Sequence, residues 1–166
     1  DTVSLLTFNT PEMFEAHYAV PMSGAVLNTI NTRLDANTIG YIIDHSECKI
    51  FIVDRELWPV LQKALSISKT KPEIIIVDDP SAKTKPELPN KFTPYQDLLN
   101  CDYKSKSFFT VDDEWQALSL NYTSGTTGRP KGVVYHHRGS YLMSMGTAAS
   151  WGLPMHPKYL YTVPMF

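Results

Sequence analysis

The sequence predicts an α/β fold of βαβ units around a parallel sheet, and three observations favour it. Short apolar segments at residues 3–8, 49–53 and 73–77 lack the alternation expected of a half-exposed strand. Strands of this kind are usually covered by helices on both faces. Segments with apolar residues at helical spacing lie between them, so that strands and helices alternate along the chain up to residue 77.

Capping residues predict where the first helices begin and end. Residues 10–11 are Thr-Pro, a pair that suits the N-cap and first position of a helix, and Pro21 should end or kink that helix. Residues 25–30 predict the next strand. Asp35 then caps a second helix that continues to His45, and Asp54 is placed to cap a third.

The second half of the chain is less regular. Residues 78–94 are rich in proline and lysine and predict a solvated surface loop, followed by a short helix at residues 95–101. Residues 138–151 predict a helix that is buried, because none of its side chains after Arg138 is charged. Serine and glycine dilute that uncharged region too much for a membrane span. Residues 159–163 resemble a strand.

Composition limits the classes of function. A formal net charge of −2 argues against a nucleic-acid surface, and 43% hydrophobic residues in 166 are enough for the core of one domain. Cys48 and Cys101 are too few for a disulfide scaffold, so we interpret both as free thiols with small buried or half-buried side chains.

One stretch carries the chemistry: Tyr122-Thr-Ser-Gly-Thr-Thr-Gly-Arg-Pro-Lys-Gly-Val133. Its flanks, residues 117–122 and 133–135, predict strands, so the stretch between them is a connecting loop. Glycines allow backbone amides to approach a ligand closely, and successive amides form an anion site. Hydroxyls add donors and Lys131 adds a positive charge, and together these groups suit a polyphosphate.

The spacing of this loop excludes two common phosphate motifs. A Walker loop needs four residues between its glycines and a lysine directly after the second, whereas Gly125 and Gly128 are closer and Lys131 is separated from Gly128. A dinucleotide-binding loop needs Gly-x-Gly, which is absent here. A flexible linker would need neither the Pro130-Lys131 pair nor two apolar flanks.

The stretch closely resembles the signature of the adenylate-forming enzymes, which include acyl-CoA synthetases, luciferases and peptide-synthetase adenylation domains. Further segments resemble the short- and medium-chain or aromatic acid branch, notably the plant acyl-activating enzymes: Val20-Pro-Met-Ser-Gly-Ala-Val26, Asn31-Thr-Arg-Leu34, Ile43-Asp-His-Ser46 and residues 161–166. The resemblance implies that residues 1–166 are an internal piece of the large N-terminal AMP-binding domain. A small, mobile C-terminal domain and its catalytic lysine would then lie outside this chain.

The resemblance also implies the site residues and the substrates. Expected phosphate ligands and loop-forming residues are Thr123, Ser124, Gly125, Thr126, Thr127, Gly128 and Lys131. Lys131 would also be catalytic, because it would neutralise charge on the departing pyrophosphate. Arg129 is expected to be a solvent-exposed neighbour. ATP with Mg²⁺ and coenzyme A as co-substrate follow from the family, and no metal ligand is assigned to this chain.

Other polar residues leave alternatives open. His136 and His137 follow the strand that comes after the loop. One of them could act as a catalytic base, since histidine titrates near neutral pH. The favoured interpretation is structural: hydrogen bonds that orient the next helix. His17, His45 and His156 are interpreted as structural or surface residues. The acidic residues 112–114 favour an exposed turn over a metal site. Residues 164–166 fit equally a segment leading to the acyl pocket and ordinary core packing.

The expected function is an ATP-dependent carboxylate–CoA ligase, represented here by a fragment that is inactive alone. Its acid would be short- or medium-chain or aromatic, and its location cytoplasmic or peroxisomal. We expect no nucleic-acid partner and no membrane span. A catalytically silent nucleotide- or acyl-binding module is the main alternative, and a phosphotransferase is the third, against which the failed Walker spacing counts.

Overall fold

A computed structural model describes residues 1–100, 109–124 and 128–166. Within them, seven strands form one sheet in the order β5-β4-β3-β1-β2-β6-β7. The strands are β1 (Thr2–Leu6), β2 (Val26–Thr29), β3 (Cys48–Asp54), β4 (Glu73–Val77), β5 (Thr93–Pro94), β6 (Ala117–Thr123) and β7 (Lys131–His136). The helices are α1 (Pro11–Met22), α2 (Ala36–His45), α3 (Trp58–Ile67, preceded by the 3₁₀ turn Arg55–Leu57), α4 (Tyr95–Leu99) and α5 (His137–Ser150).

The parallel βαβ architecture is confirmed. Neighbouring strands from β5 to β6 all pair in parallel, and β6–β7 is the antiparallel pair. The chain runs from β1 to β2 on one side and then crosses back to β3 on the other side of β1. This reversal is typical of an open α/β sheet, in which ligands bind at the carboxyl ends of the strands.

The apolar strands are covered on both faces, as their sequences predict. On one face, Leu6, Phe51 and Val53 pack with buried residues of α2 and α3, including Ile42 and Leu61. On the other face a second buried cluster joins the sheet to α1, with α4 and the end of the chain packed against it. Its buried members are Val3, Leu5, Met13, Ala16, Val20, Leu27, Ile52, Ile75 and Val77.

Of the three predicted caps, Asp35 forms on α2 as predicted, Asp54 caps the 3₁₀ turn before α3 instead of α3 itself, and Thr10 forms no side-chain cap. The Asp35 carboxylate accepts hydrogen bonds from the Asn37 and Thr38 amides at 2.8 and 3.2 Å, and Asp54 accepts from the Glu56 amide at 2.8 Å. Thr10 occupies the N-cap position of α1, but its hydroxyl makes no capping hydrogen bond.

The end of α1 differs slightly from prediction. The helix continues through Pro21 and ends at Met22, because a proline at the last turn removes only one hydrogen bond. Gly24 then turns the chain with φ of +79°, and a Cβ there would lie 2.7 Å from the Phe109 ring. The turn therefore needs glycine for its backbone angle and for space.

The buried environment predicted for α5 is wrong. None of its residues is buried, and Tyr141, Leu142 and Met145 are 66%, 54% and 55% exposed. Apolar side chains lie all around the helix, whereas β6 and β7 can cover only one side of it. The helix itself was predicted correctly, but the absence of charge did not show which of its sides this chain covers.

The predicted strand at residues 159–163 is also wrong, because these residues have no regular structure. Strand geometry needs a neighbouring backbone to pair with. The backbone here is instead held by a side chain: Asn9 donates from Nδ2 to the Val163 carbonyl and accepts from the Met165 amide, both at 2.9 Å.

The cysteine and acidic-turn predictions are met where the structure describes them. Cys48 is free and buried, and burial raises the pKa of its thiol. Cys101 lies outside the described residues. The turn at residues 112–114 is exposed: Asp113 accepts from the Trp115 amide at 2.9 Å, and Glu114 forms a 2.9 Å salt bridge with Arg138.

Asp44 fixes the C-terminal end of α2 to the segment between α3 and β4. Its Oδ1 accepts hydrogen bonds from Ser68 Oγ at 2.7 Å, the Lys69 amide at 2.9 Å and the Thr70 amide at 2.8 Å. Burial raises the pKa of the Asp44 carboxyl, but the hydrogen bonds from Ser68, Thr70 and Lys69 lower it more, and the pKa falls to about 2. The folded state therefore favours the charged carboxylate.

Replacing Asp44 with asparagine is expected to lower the free energy of unfolding by about 1–3 kcal/mol at neutral pH, since hydrogen bonds to a charged acceptor are lost. An aspartate has an unfolded pKa of about 4. The Asp44 contribution is therefore complete above about pH 4 and is lost as pH falls towards about 2. Urea unfolding of the full-length protein between pH 2 and 7 measures it, with Asp112→Asn as an exposed control. A loss of unfolding free energy in Asp44→Asn that stays the same as the pH falls from about 4 to about 2 would contradict this prediction.

Candidate phosphate-binding site

The predicted loop connects β6 to β7, as its apolar flanks indicated. Thr123 is the last residue of β6 and Lys131 the first of β7, and the two lie directly opposite each other in the antiparallel register. Opposed residues of such a pair have Cβ atoms about 4.5–5.5 Å apart. The fold therefore brings together a hydroxyl and an ammonium group that are eight positions apart in the sequence.

The loop lies at the carboxyl edge of the sheet. Strand β6 runs parallel to β2, so the end of β6 lies next to Thr29, the last residue of β2, and to residues 30–31 after it. A small cavity of about 200 Å³ there is lined by both segments. Its lining comprises Thr29, Ile30, Asn31, Leu34, Ile42, Tyr122, Thr123, Ser124 and Pro130.

A larger cleft of about 520 Å³ lies beside β2 and β6 and also reaches Thr123. Residues 164–166 line its other side, and the side chains of Met165 and Phe166 also pack against the core cluster under α1. The Asn9 amide holds this segment in place through the two hydrogen bonds described above. The packing of Met165 and Phe166 supports the core-packing interpretation, and the acyl-pocket interpretation stays a prediction.

The predicted phosphate ligands that the structure describes are accessible. Thr123, Ser124, Gly128 and Lys131 are exposed. Gly128 has φ of +84°, and a Cβ there would meet no atom within 4 Å, so the backbone angle and not a lack of space requires glycine. Gly125, Thr126 and Thr127 lie outside the described residues, and their assignment remains a prediction.

Arg129 is exposed as expected, but it also has a partner that the sequence did not indicate. Its guanidinium carbon lies 5.9 Å from the centre of the Tyr41 ring. That distance is within the range of a cation–π interaction. Tyr41 lies on α2, so the distal end of the loop contacts this helix.

His45, interpreted as a structural or surface residue, contacts the other end of the loop. Its Nδ1 and the Tyr122 hydroxyl share a hydrogen bond of 2.7 Å. Burial, followed by the nearby Tyr41, raises the pKa of Tyr122 to about 12, so the hydroxyl stays protonated at neutral pH. The only signal in the sequence is that Tyr41 and His45 are four residues apart and so share one face of α2.

His136 orients the next helix. Its Nδ1 accepts a hydrogen bond of 2.9 Å from the Gly139 amide and caps α5, and its ring lies 4.7 Å from that of Trp115. His137 instead lines a cleft of about 690 Å³ between α1 and α5, to which His17 also contributes. The favoured structural reading thus fits His136.

The described geometry suits the binding of an anionic chain of phosphates at the carboxyl edge of an α/β sheet. Thr123 and Ser124 line the small cavity at the end of β6, and Lys131 lies opposite Thr123 across the β6–β7 pair. Among residues 1–100, 109–124 and 128–166, no three His, Cys, Asp or Glu side chains are grouped so as to hold a metal ion. No helix in these ranges has the length and apolar character needed to cross a bilayer.

These features make the end of β6 a candidate phosphate site on an open α/β sheet, and comparison with known proteins identifies the family. The family model described as "AMP-binding enzyme" matches residues 1–166. The chain belongs to the AMP-binding enzyme family.

Curated relatives are considerably longer than this chain. A peroxisomal butyrate–CoA ligase from Arabidopsis thaliana is 45% identical over 175 aligned residues, which cover 100% of the chain and 30% of the relative. A peroxisomal trans-cinnamate:CoA ligase from Petunia hybrida is 43% identical over 182 aligned residues, covering 100% and 31%. The chain thus spans about 30% of the length of these relatives.

Solved structures confirm the fold class. A long-chain-fatty-acid-CoA ligase from Archaeoglobus fulgidus superposes with a TM-score of 0.83 at 19% identity. The match covers 99% of this chain and 31% of that protein. This chain therefore shares the α/β fold of about a third of that protein.

Proposed function

We propose that this chain supplies the phosphate-binding part of an ATP-dependent carboxylate–CoA ligase. The observation that carries the proposal is the placement of Thr123 opposite Lys131 at the carboxyl edge of the sheet. A hydroxyl and an ammonium group at this position suit the β- and γ-phosphates of ATP. Family membership and the two CoA ligases described above support the same reaction.

In the proposed reaction, a carboxylate oxygen attacks the α-phosphorus of ATP and the bond to pyrophosphate breaks, giving an acyl-adenylate. The sulfur of coenzyme A then attacks the acyl carbon, AMP leaves, and the thiol proton goes to solvent. Negative charge grows on pyrophosphate in the first step. A positive group placed there before reaction stabilises the transition state.

Each loop residue has a distinct role in this proposal. Thr123, Ser124, Thr126 and Thr127 donate hydrogen bonds to phosphate oxygens. Gly125 and Gly128 shape the turn, and Lys131 neutralises the leaving group. We assign Mg²⁺ to the phosphates of ATP, because the described residues offer it no group of carboxylates, and no step depends on a metal ligand in this chain.

The acid belongs to the short- or medium-chain or aromatic class. The butyrate and trans-cinnamate ligases differ in acid and are nearly equal in identity to this chain, so both acid types are kept in the proposal. Both relatives are peroxisomal by name, which supports a peroxisomal or cytoplasmic location. Acid, ATP and CoA are the proposed partners, and nucleic acid is not among them.

The products of ATP distinguish this function from its alternatives. The full-length protein is incubated with ATP labelled at the α-phosphate, CoA and either butyrate or trans-cinnamate. Labelled AMP and an acyl-CoA, formed only with acid present, are expected. Labelled ADP would indicate phosphotransfer, and bound but unreacted ATP would indicate a silent binding module.

A further inference from the structure

Helix α2 contacts both ends of the phosphate loop through one face. His45 is bonded to Tyr122, directly before Thr123, and Tyr41 lies against Arg129 near the other end. The rings also pack on each other: Tyr41 and His45 have centroids 5.3 Å apart, and His45 meets the Tyr122 ring edge-on at 5.7 Å and 80°. Residues of two distant segments thus form one cluster beside the loop.

The rest of α2 is fixed firmly enough to act as a support. Ile39, Ile42 and Ile43 are fully buried in the core. Asp35 caps its first turn, and Asp44 binds the segment at residues 68–70. The face of α2 that carries half-buried Tyr41 and exposed His45 therefore belongs to a helix held at both ends. Thr123 and Lys131, in contrast, are both exposed.

We infer that Tyr41 and His45 are positioning residues that hold the two ends of the loop on α2. His45 fixes the Tyr122 side of the loop through its hydrogen bond, and Tyr41 fixes the Arg129 side through its ring. Neither residue needs to touch the nucleotide. The inference rests on the proposed function only in that the loop binds the phosphates of ATP.

Loss of either contact should weaken ATP binding more than binding of the acid, because the supported segment is the phosphate loop. A loop that is free to move must be ordered when the ligand binds, and this ordering reduces affinity. Removing one hydrogen bond of this kind is expected to raise the ATP dissociation constant by about three- to tenfold.

The test compares tyrosine variants that each remove only a hydroxyl. Tyr122→Phe removes the bond to His45 and keeps the ring in place. Tyr95→Phe is the matched control, because the Tyr95 hydroxyl donates to Glu15 at 2.9 Å outside the loop. Calorimetric titration of the full-length protein with MgATP, without acid, gives the dissociation constants, and thermal unfolding shows whether each variant is folded.

A weaker affinity for ATP in Tyr122→Phe, with Tyr95→Phe equal to wild type, is expected. The substitutions His45→Phe and Tyr122→Phe each remove the same hydrogen bond. The double variant should therefore lose no more affinity for ATP than whichever single variant binds ATP more weakly. Tyr41→Leu should also weaken binding, and Tyr41→Phe, which keeps the aromatic face, should recover most of it. Equal dissociation constants for Tyr122→Phe and Tyr95→Phe, or fully independent losses in the double variant, would overturn the inference.

The outcomes separate this inference from the proposed function. If the wild type binds ATP but forms no AMP with any acid, the ligase proposal fails while the dissociation constants still test the positioning role. If the wild type binds no ATP, both are overturned.

Discussion

Replacing Lys131 with alanine is expected to slow acid-dependent exchange between ATP and pyrophosphate by about ten- to a thousandfold in the full-length protein, since removal of one preorganised donor can cost up to about a thousandfold. Lys131 is exposed and lies opposite Thr123 at the base of the loop, and in the proposed reaction its ammonium group neutralises the departing phosphates. Negative charge on the pyrophosphate develops in the transition state. Loss of the Lys131 ammonium group should therefore lower kcat as well as the affinity for ATP.

Two further lysine variants make the result specific. Lys131→Arg keeps the positive charge and should lose less activity than Lys131→Ala, although a planar guanidinium replaces a compact ammonium group. Lys49→Ala, which changes an exposed lysine on β3, should match the wild type. An unchanged exchange rate in Lys131→Ala would remove this residue from the mechanism.

Residues 1–166 expressed alone are expected to form no thioester. The proposed phosphate ligands from Thr123 to Lys131 would hold one end of ATP only, and the chain spans about 30% of the length of the ligases it matches. Without groups that hold the acid against the α-phosphate, proximity effects of roughly 7–11 kcal/mol are lost. The exposed apolar side chains of α5 also predict a tendency of this piece to associate.

The measurement is AMP release by residues 1–166 with short-chain, medium-chain and aromatic acids, beside the full-length protein at equal concentration. The full-length protein serves as the positive control. Acid-dependent AMP release by the piece at a comparable rate would show that it contains a complete active site.

The sequence predicted the first half of the fold well because local signals there agree with the packing. The isoleucines of β4 lie in a strand covered on both faces, and Asp35 begins α2 where its side chain can cap it. The same reasoning failed for α5 and for residues 159–163. Burial and strand pairing depend on what lies opposite in space, and the residue pattern does not show this.

The candidate site was predicted by its composition but not by its supports. Glycines, hydroxyls and a lysine in one stretch indicate a phosphate loop, and the fold places the described ones together. The contacts of Tyr41 with Arg129 and of His45 with Tyr122 join residues far apart in sequence, and only the folded chain brings α2 beside the loop. Helical spacing indicated a shared face, but it did not identify the partner of that face.

Exchange of labelled pyrophosphate into ATP by the full-length protein, without CoA, tests the central proposal most directly. Adenylate formation is reversible before thiol attack, so exchange should appear when butyrate or trans-cinnamate is added and should vanish without acid. It should also fall sharply in Lys131→Ala. Exchange that does not depend on any acid of these classes, or an ATP-consuming reaction that releases ADP, would contradict the assignment of this loop to carboxylate activation.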